Sequence, residues 1–477
     1  MSRYMGFPSV AIVPIFVLTQ ALYAQPDLEH AVTVINKLGG TLERDPRSPD
    51  APVTAVGLRA TPISDAELVL LKGCTALRAL DLAHTSITDA GLEPLKGLSN
   101  LRELQLRGCA ITDAGIARLQ PLTNLEMLDL GLTAITDISL EHLKTLRALR
   151  NLGLEQTGVT DAGLLRLQAI RGLRFVDLKE TKITDKGLAH LKALPALEYL
   201  DVNGTSIHDA GVAHLKDCNR LKELHLDGTG LTDNGLAHLR RSTNLEVLCL
   251  SNTKVTDGGI DYLKDLTNLQ RLVLSETGVT NKGLETIKNL SKLHALSLET
   301  TAVTDAGMPY LEELTELRTL SLWATQLTDA GVVHVKNLKR LRALNLGNTD
   351  ITDAGLAHLQ VLTNLQILDL ENTGITDAGL GRLKGLARLR MLDLQSTRAT
   401  DAGLAHLGGL IGLEALDLSN TRITDKGLQL LKGLTNLRSL GLANTKTTFQ
   451  GRRDLQEALP VVKLSDRPIQ LWDQTKN

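Results

Sequence analysis

From Leu77 to Leu437 every twenty-fourth residue is leucine, sixteen times in succession, with no insertion or deletion between copies. A single copy is too short to bury an apolar face, so the copies must stack on one another. One solenoid therefore replaces the several globules that a chain of 477 residues would otherwise suggest. Counting Leu77 as position zero, positions +3 and +5 are Leu except at Val176 and Val202, and +8 is Thr except at Cys109. Position +12 is Asp up to Asp425 except at Asn281, and +14 is Gly up to Gly451 except at Ser139. A degenerate copy precedes these (Val53 to Ala76), and another follows with Val461 and Leu464 in register.

Two periodicities alternate within each copy. The pattern LxxLxLxxT has period two and predicts a short strand with both leucines facing inward. The following segment has apolar residues at +15, +18 and +21, which predicts a short helix with one buried stripe. Thr at +11 suits its N-cap, and Asp at +12 falls in the first turn, where the helix dipole favours negative charge. Gly at +14 costs about 0.5–1 kcal/mol per helix. Its recurrence predicts an approach between neighbouring coils so close that a Cβ would block it. Thr at +8 is expected to be buried at the strand end, its hydroxyl satisfying turn amides of adjacent coils. Helices need more room than strands, so the stack is expected to curve with parallel strands on the concave side and helices on the convex side. Aromatic residues make up only 2% of the chain, which leaves Leu to carry the packing.

On these residues the chain resembles the leucine-rich repeat family, with L-x-x-L-x-L-x-x-T carrying Thr where Asn or Cys is usual. Its T-D-A-G-L units are similar to those of bacterial extracytoplasmic members, and akin to the repeats of ribonuclease-inhibitor-like and F-box-associated adaptor proteins. The resemblance covers residues 53–464. It implies a right-handed α/β leucine-rich repeat solenoid, a horseshoe, and a binding role with no ligand named.

The ends read differently. Residues 1–24 have the charge, apolar segment (Gly6 to Leu18) and small residue (Ala24) of a secretory signal with cleavage before Gln25. The apolar run is too short for stable membrane insertion. Residues 25–52 read as a capping helix, with Leu28, Val32, Ile35 and Leu38 inward, followed by a loop. Residues 53–448 form the solenoid and 449–477 a C-terminal cap of one helix and one strand. Cys74, Cys109, Cys218 and Cys249 occupy repeat positions about a strand length or more apart, which predicts no disulfide.

Fixed columns build the coil, so recognition must lie in the variable ones, +2, +4 and +6 on the strand face. Column +4 is Asp at both ends, including Asp177 and Asp201, and reads as a solvated acidic face. With a net charge of −2 it argues against nucleic acid as a partner. Phe175 and Tyr199 share column +2 on adjacent strands, and Trp323 occupies +6. Exposed aromatics on a rigid face anchor protein interfaces. Beside them Arg174, Glu198, Lys222 and Glu246 alternate in charge, as cross-strand pairs would. Asp201, His225 and Cys249 fall in column +4 on consecutive strands, an order that activates a thiolate in a closed site and also counts as three zinc ligands. An open sheet supplies neither an oxyanion hole nor a water-excluding cleft. No residue is therefore assigned to catalysis or to a metal, and no cofactor is expected. The seven histidines at +17 (His142, His190, His214, His238, His334, His358, His406) read as half-exposed repeat residues.

The expected function is a non-enzymatic, exported (secreted or periplasmic) scaffold binding a protein partner on the concave face around Phe175, Asp177, Tyr199, Asp201, His225, Cys249 and Trp323. The alternative, from the F-box-associated resemblance, is an intracellular adaptor recruiting substrates to a ubiquitin ligase. A Cys/His-dependent enzyme or metal site ranks third. The sequence assigns no oligomeric state.

Overall fold

The computed structural model describes residues 26–47, 51–469 and 472. The expected export segment, residues 1–24, and Gln25 lie outside the described residues. The chain divides between Asn244 and Leu245 into two compact units.

The N-terminal unit opens with the helix Pro26–Lys37, in which Ala31 and Ile35 are buried and Val32 is half-buried, as is Leu38 just beyond it. The side chain of Leu28 lies outside the described residues. The following stretch, which reads as a loop in the sequence, contains the strand Thr41–Arg44, paired antiparallel to Val53–Gly57. That pairing covers the open edge of the first coil. Parallel strands then run from Val53–Gly57 to Glu223–His225 with partners twenty-four residues apart, so that Leu80, Leu104, Leu128 and Leu152 lie side by side. The C-terminal unit repeats this from Val247–Cys249 to Lys463–Ser465, ending with Leu440 beside Leu464. Its last coil is closed by the helix Phe449–Ala458. In both units the parallel strands, up to Ser439–Gly441, alternate with α or 3-10 helices, and each unit is an α/β leucine-rich repeat solenoid of the expected class.

The two apolar patterns meet in one core. Leucines of the strand pattern, such as Leu77, Leu80 and Leu82, are 0–1% exposed, and so are the helix-side residues Leu92, Leu95 and Leu98. The +8 threonines are buried, or half-buried at Thr277 and Thr445, but their hydroxyls do not satisfy turn amides of adjacent coils. Each hydroxyl donates to the carbonyl three residues back in its own coil, as Thr85 does to Leu82 at 2.6 Å and Thr349 to Leu346 at 2.5 Å. The strand has just turned there, and that carbonyl is the acceptor left within reach. Cys109 keeps a weaker form of the bond, its thiol donating to Leu82 of the preceding coil at 3.0 Å.

Coils are joined by the +12 carboxylate. Asp329 accepts the Thr352 N–H on Oδ1 at 2.8 Å and the Thr352 hydroxyl on Oδ2 at 2.5 Å. The same pair of bonds recurs along both units, for example Asp89 to Thr112, Asp161 to Thr184, and Asp401 to Thr424. Thr352 Oγ in turn accepts the Ala354 N–H, the expected N-cap. Gly at +14 is explained by the same carboxylate. A Cβ on Gly355 would lie 2.5 Å from Asp329 Oδ1, and one on Gly379 would lie 2.2 Å from Asp353 Oδ1. The close approach expected at +14 is therefore made by a side chain of the preceding coil.

Both departures in these columns keep the junction. Ser139, in place of Gly, turns its hydroxyl onto Asp113 Oδ1 at 2.5 Å. Asn281, in place of Asp, accepts the Thr304 N–H at 2.9 Å and donates its amide to the Thr304 hydroxyl at 2.8 Å, reversing that bond.

Gly355→Ala is expected to destabilise the C-terminal unit by about 1–3 kcal/mol, the usual range for overpacking. Gly355→Ser should cost measurably less, because its hydroxyl can donate to Asp329 as Ser139 does to Asp113. Denaturant melts of the two variants check this. Equal losses would mean that the carboxylate does not govern position +14.

Candidate functional site

Side chains at +2, +4 and +6 alternate with the buried leucines and so pave the strand face. In the N-terminal unit Phe175 and Tyr199 lie on paired strands, as do Asp177 and Asp201. The two rings stack with centroids 3.9 Å apart and planes within 10°. They are not the exposed anchors the sequence suggests, being only 5% and 6% exposed, because in-register pairing lays one ring over the next. His225 extends the stack, its ring centroid 5.1 Å from that of Tyr199.

The acidic column is likewise not a solvated face. Asp129, Asp201, Asp369 and Asp393 are 3–5% exposed and Asp417 is fully buried. Their Oδ1 atoms point back into the turn and accept the N–H two residues on: Asp201 from Asn203 at 2.9 Å, Asp369 from Glu371 at 3.0 Å, and Asp393 from Gln395 at 2.8 Å. The column is thus a series of Asx turns. Asn345 does the same for Gly347 at 2.8 Å with no charge at all.

Burial has an electrostatic cost. Burial and the neighbouring Asp201 charge push the Asp177 carboxyl up to about 7. Burial raises Asp201 as well, against the opposing pull of His225. In the C-terminal unit burial carries Asp369 up to about 7, with Glu371 and Glu299 adding to it. Burial and the Asp369 charge carry Asp393 up to about 9.

Position +6 supplies counterions in the N-terminal unit. Glu155 sits between Arg107 (2.7 Å) and Lys179 (3.3 Å), and Arg59 joins Asp81 at 3.0 Å and Gln105 at 2.6 Å. At +1, Glu198 pairs with Arg174 and Lys222, the cross-strand ladder expected. Of the three residues considered for thiolate or zinc chemistry, Asp201 and His225 lie opposite each other on paired strands of this unit. Cys249 belongs to the C-terminal unit, 5% exposed on its first strand. The +17 histidines are half-buried or exposed; His142, His190 and His334 hydrogen-bond to Gln120, Gln168 and Glu312 of the preceding coils.

Trp323 sits in the C-terminal unit, half-buried at +6. Its indole lies over Gly347, where a Cβ would meet Cδ1 at 2.8 Å, and it favours the charged form of Glu371, two coils on, against the upward push of burial. Glu371 also takes the Gln395 amide at 2.6 Å. On the other side, Glu299 takes the Ser321 hydroxyl at 2.7 Å and a second indole, that of Trp472, at 3.1 Å. Glu299, Glu371 and Trp472 escaped the reading of the sequence. The available signal was glycine at 347, directly beside the one tryptophan of the repeats.

The raised carboxyl values fix the sign of a pH effect. A carboxyl that binds its proton more tightly folded than unfolded makes stability fall as pH rises from its unfolded value, about 3.9, to its folded one. The window is pH 4 to 7 for Asp177 and Asp369, and 4 to 9 for Asp393. Carboxyls with lowered values titrate below about pH 4.5 and cannot offset this above pH 5. Tm is expected to decline from pH 5 to pH 9. Asp393→Asn should raise it by a few degrees at pH 8 and by less at pH 5, as thermal melts at the two pH values would show.

Comparison with known proteins agrees with the repeat geometry. A leucine-rich repeat region model matches residues 58–308, and a leucine rich repeat model matches 315–375 and 387–446. No curated protein sequence matches the chain. Among solved structures, an internalin of Listeria monocytogenes is 22% identical, covering 93% of this chain and 96% of its own, with a TM-score of 0.43. A leucine-rich repeat protein of Leptospira interrogans is 18% identical over 84% of this chain and 91% of its own, with a TM-score of 0.49. From the 24-residue coils and the family match, which spans more than half of its length, the chain belongs to the leucine-rich repeat family.

Proposed function

We propose that this chain is a non-enzymatic protein-binding scaffold, exported by residues 1–24, that engages a protein partner on its strand faces. The observation that carries the reading is the stack of Phe175, Tyr199 and His225 beside Asp177 and Asp201. The repeat does not need these ring side chains at those positions, because other coils carry Ala, Glu or Gly there. They form a pavement already fixed before any partner arrives, so a partner orders few side chains on docking. Cys249 and Trp323 lie at +4 and +6 on the strand face of the C-terminal unit. Export rests on the charged, apolar and small-residue succession of residues 1–24. Among the described residues no helix is long and apolar enough to cross a membrane.

Two measurements test this. Photo-crosslinking residues placed at Lys179 and Asn203, on the strand face, are expected to capture a partner. Residues placed at Leu165 and Tyr262, exposed on the helix side, should not. Capture from the helix side alone would overturn the strand-face reading. The mature amino terminus, determined by sequencing the exported protein, is expected at Gln25, and a mature protein retaining Met1 would remove export by a cleaved signal.

A further inference from the structure

The strand face of the C-terminal unit is already occupied in part. After its last strand, Lys463–Ser465, the chain turns at Asp466 and Arg467. Ser465 Oγ accepts the Arg467 N–H at 3.1 Å and donates to the Arg467 carbonyl at 2.6 Å. Arg452 of the capping helix fixes this turn, pairing with Asp466 while bonding the Leu442 carbonyl at 3.0 Å and the Thr447 hydroxyl at 2.9 Å. Beyond the turn the Ile469 N–H donates to Asp417 Oδ2. The indole of Trp472 donates to Glu299, and its ring is only 9% exposed. Asp417 and Glu299 belong to coils five apart, about 24 Å at strand spacing, so these two contacts bracket the acidic stretch of the face.

The chemistry of that stretch explains why such a segment fits. Asp369, Asp393, Asp417, Glu299 and Glu371 converge there, and among the described residues none of the five lies in an ion pair, in contrast to Glu155 of the N-terminal unit. What these carboxylates lack among the described residues is a countercharge; the groups that reach them, such as the Ser419 and Ile469 N–H groups on Asp417, are neutral donors. Buried carboxyl oxygens need hydrogen-bond partners, and an extended peptide offers N–H groups along its length. Glu371 shows a related pairing from within the repeat, since the Trp323 indole favours its charged form. Trp472 gives Glu299 an indole N–H.

We infer that the strand face of the C-terminal unit is a binding site for an extended, tryptophan-bearing peptide segment of a protein partner, and that the chain's own Ile469 and Trp472 hold this site closed. The inference rests on the strand-face reading above and adds the kind of partner and its regulation. A partner segment must displace a competitor tethered a few residues from the site. Such a tether presents the tail at an effective concentration on the millimolar scale.

The chain contains only two tryptophans, Trp323 and Trp472, so the tail can be watched in the full-length protein. In Trp323→Phe, emission comes from Trp472 alone and is expected to be blue-shifted and protected from acrylamide. Adding Glu299→Ala should shift it to the red and expose it. The second arm measures anisotropy of a labelled synthetic peptide with the sequence of residues 466–477. It is expected to bind full-length Trp472→Ala at least tenfold more tightly than wild type, and to lose that binding when its own tryptophan is replaced by alanine. A solvent-quenched Trp472 would overturn the closed state. A protected Trp472 with equal peptide binding to both proteins would overturn the peptide site. Crosslinking at Lys179 reports on the N-terminal unit, so failure of the broader scaffold reading is recognised separately.

Discussion

A carboxylate reaching from one coil to the next is the interaction on which the remaining regularities depend. Asp at +12 satisfies the N–H and the hydroxyl of the following Thr, and it occupies the volume where the following Gly has no Cβ. Three columns are thereby fixed by one group. Leucine burial supplies most of the stabilisation of such a stack, at about 25 cal/mol per Å² of apolar surface. Apolar burial is non-directional, however, and does not set how far one coil is rotated on the next. The carboxylate does, because both of its oxygens have directional partners. Ser139 and Asn281 make the dependence visible, since each change of residue is matched by a change in the bond pattern at the same junction.

Much of this architecture could be read from the chain. Strand and helix follow from apolar spacings of two and three, and the N-cap from Thr at +11. The need for glycine at +14 follows from its recurrence at a helical position where it is costly. The occupant of that space could not be read, because Asp329 and Gly355 are twenty-six residues apart and meet only once the coils stack. The wrong assignment of Thr at +8 has a different cause: its acceptor lies only three residues back and is defined by the turn geometry within the coil.

At the candidate site the residues were legible and their environment was not. Phe175, Tyr199, Asp201 and His225 share a face because of the period, and they do lie on neighbouring strands. Their burial depends on side chains lying over one another across the sheet, which no single repeat encodes. An Asp that looks solvated in a sequence column becomes an Asx-turn acceptor walled in by its neighbours, and its proton affinity rises accordingly. Glu299 and Trp472 meet across 173 residues, a contact with no periodic signature.

The junction between coils also gives the stack a direction. Within each unit a coil presents its acceptor towards its successor and its donors towards its predecessor, as the monomers of a head-to-tail filament do. The first such acceptor, Asp65, is taken by Thr88, and the last, Asp425, by Thr448 of the capping helix. In the coil of Thr448 the place of the carboxylate is filled by Phe449, which has no acceptor to offer and stands 83% exposed. A second molecule arriving at that end finds nothing to hold its threonine. The cap is therefore a chain terminator in the polymer sense: it completes the final junction and withholds the group that would begin another.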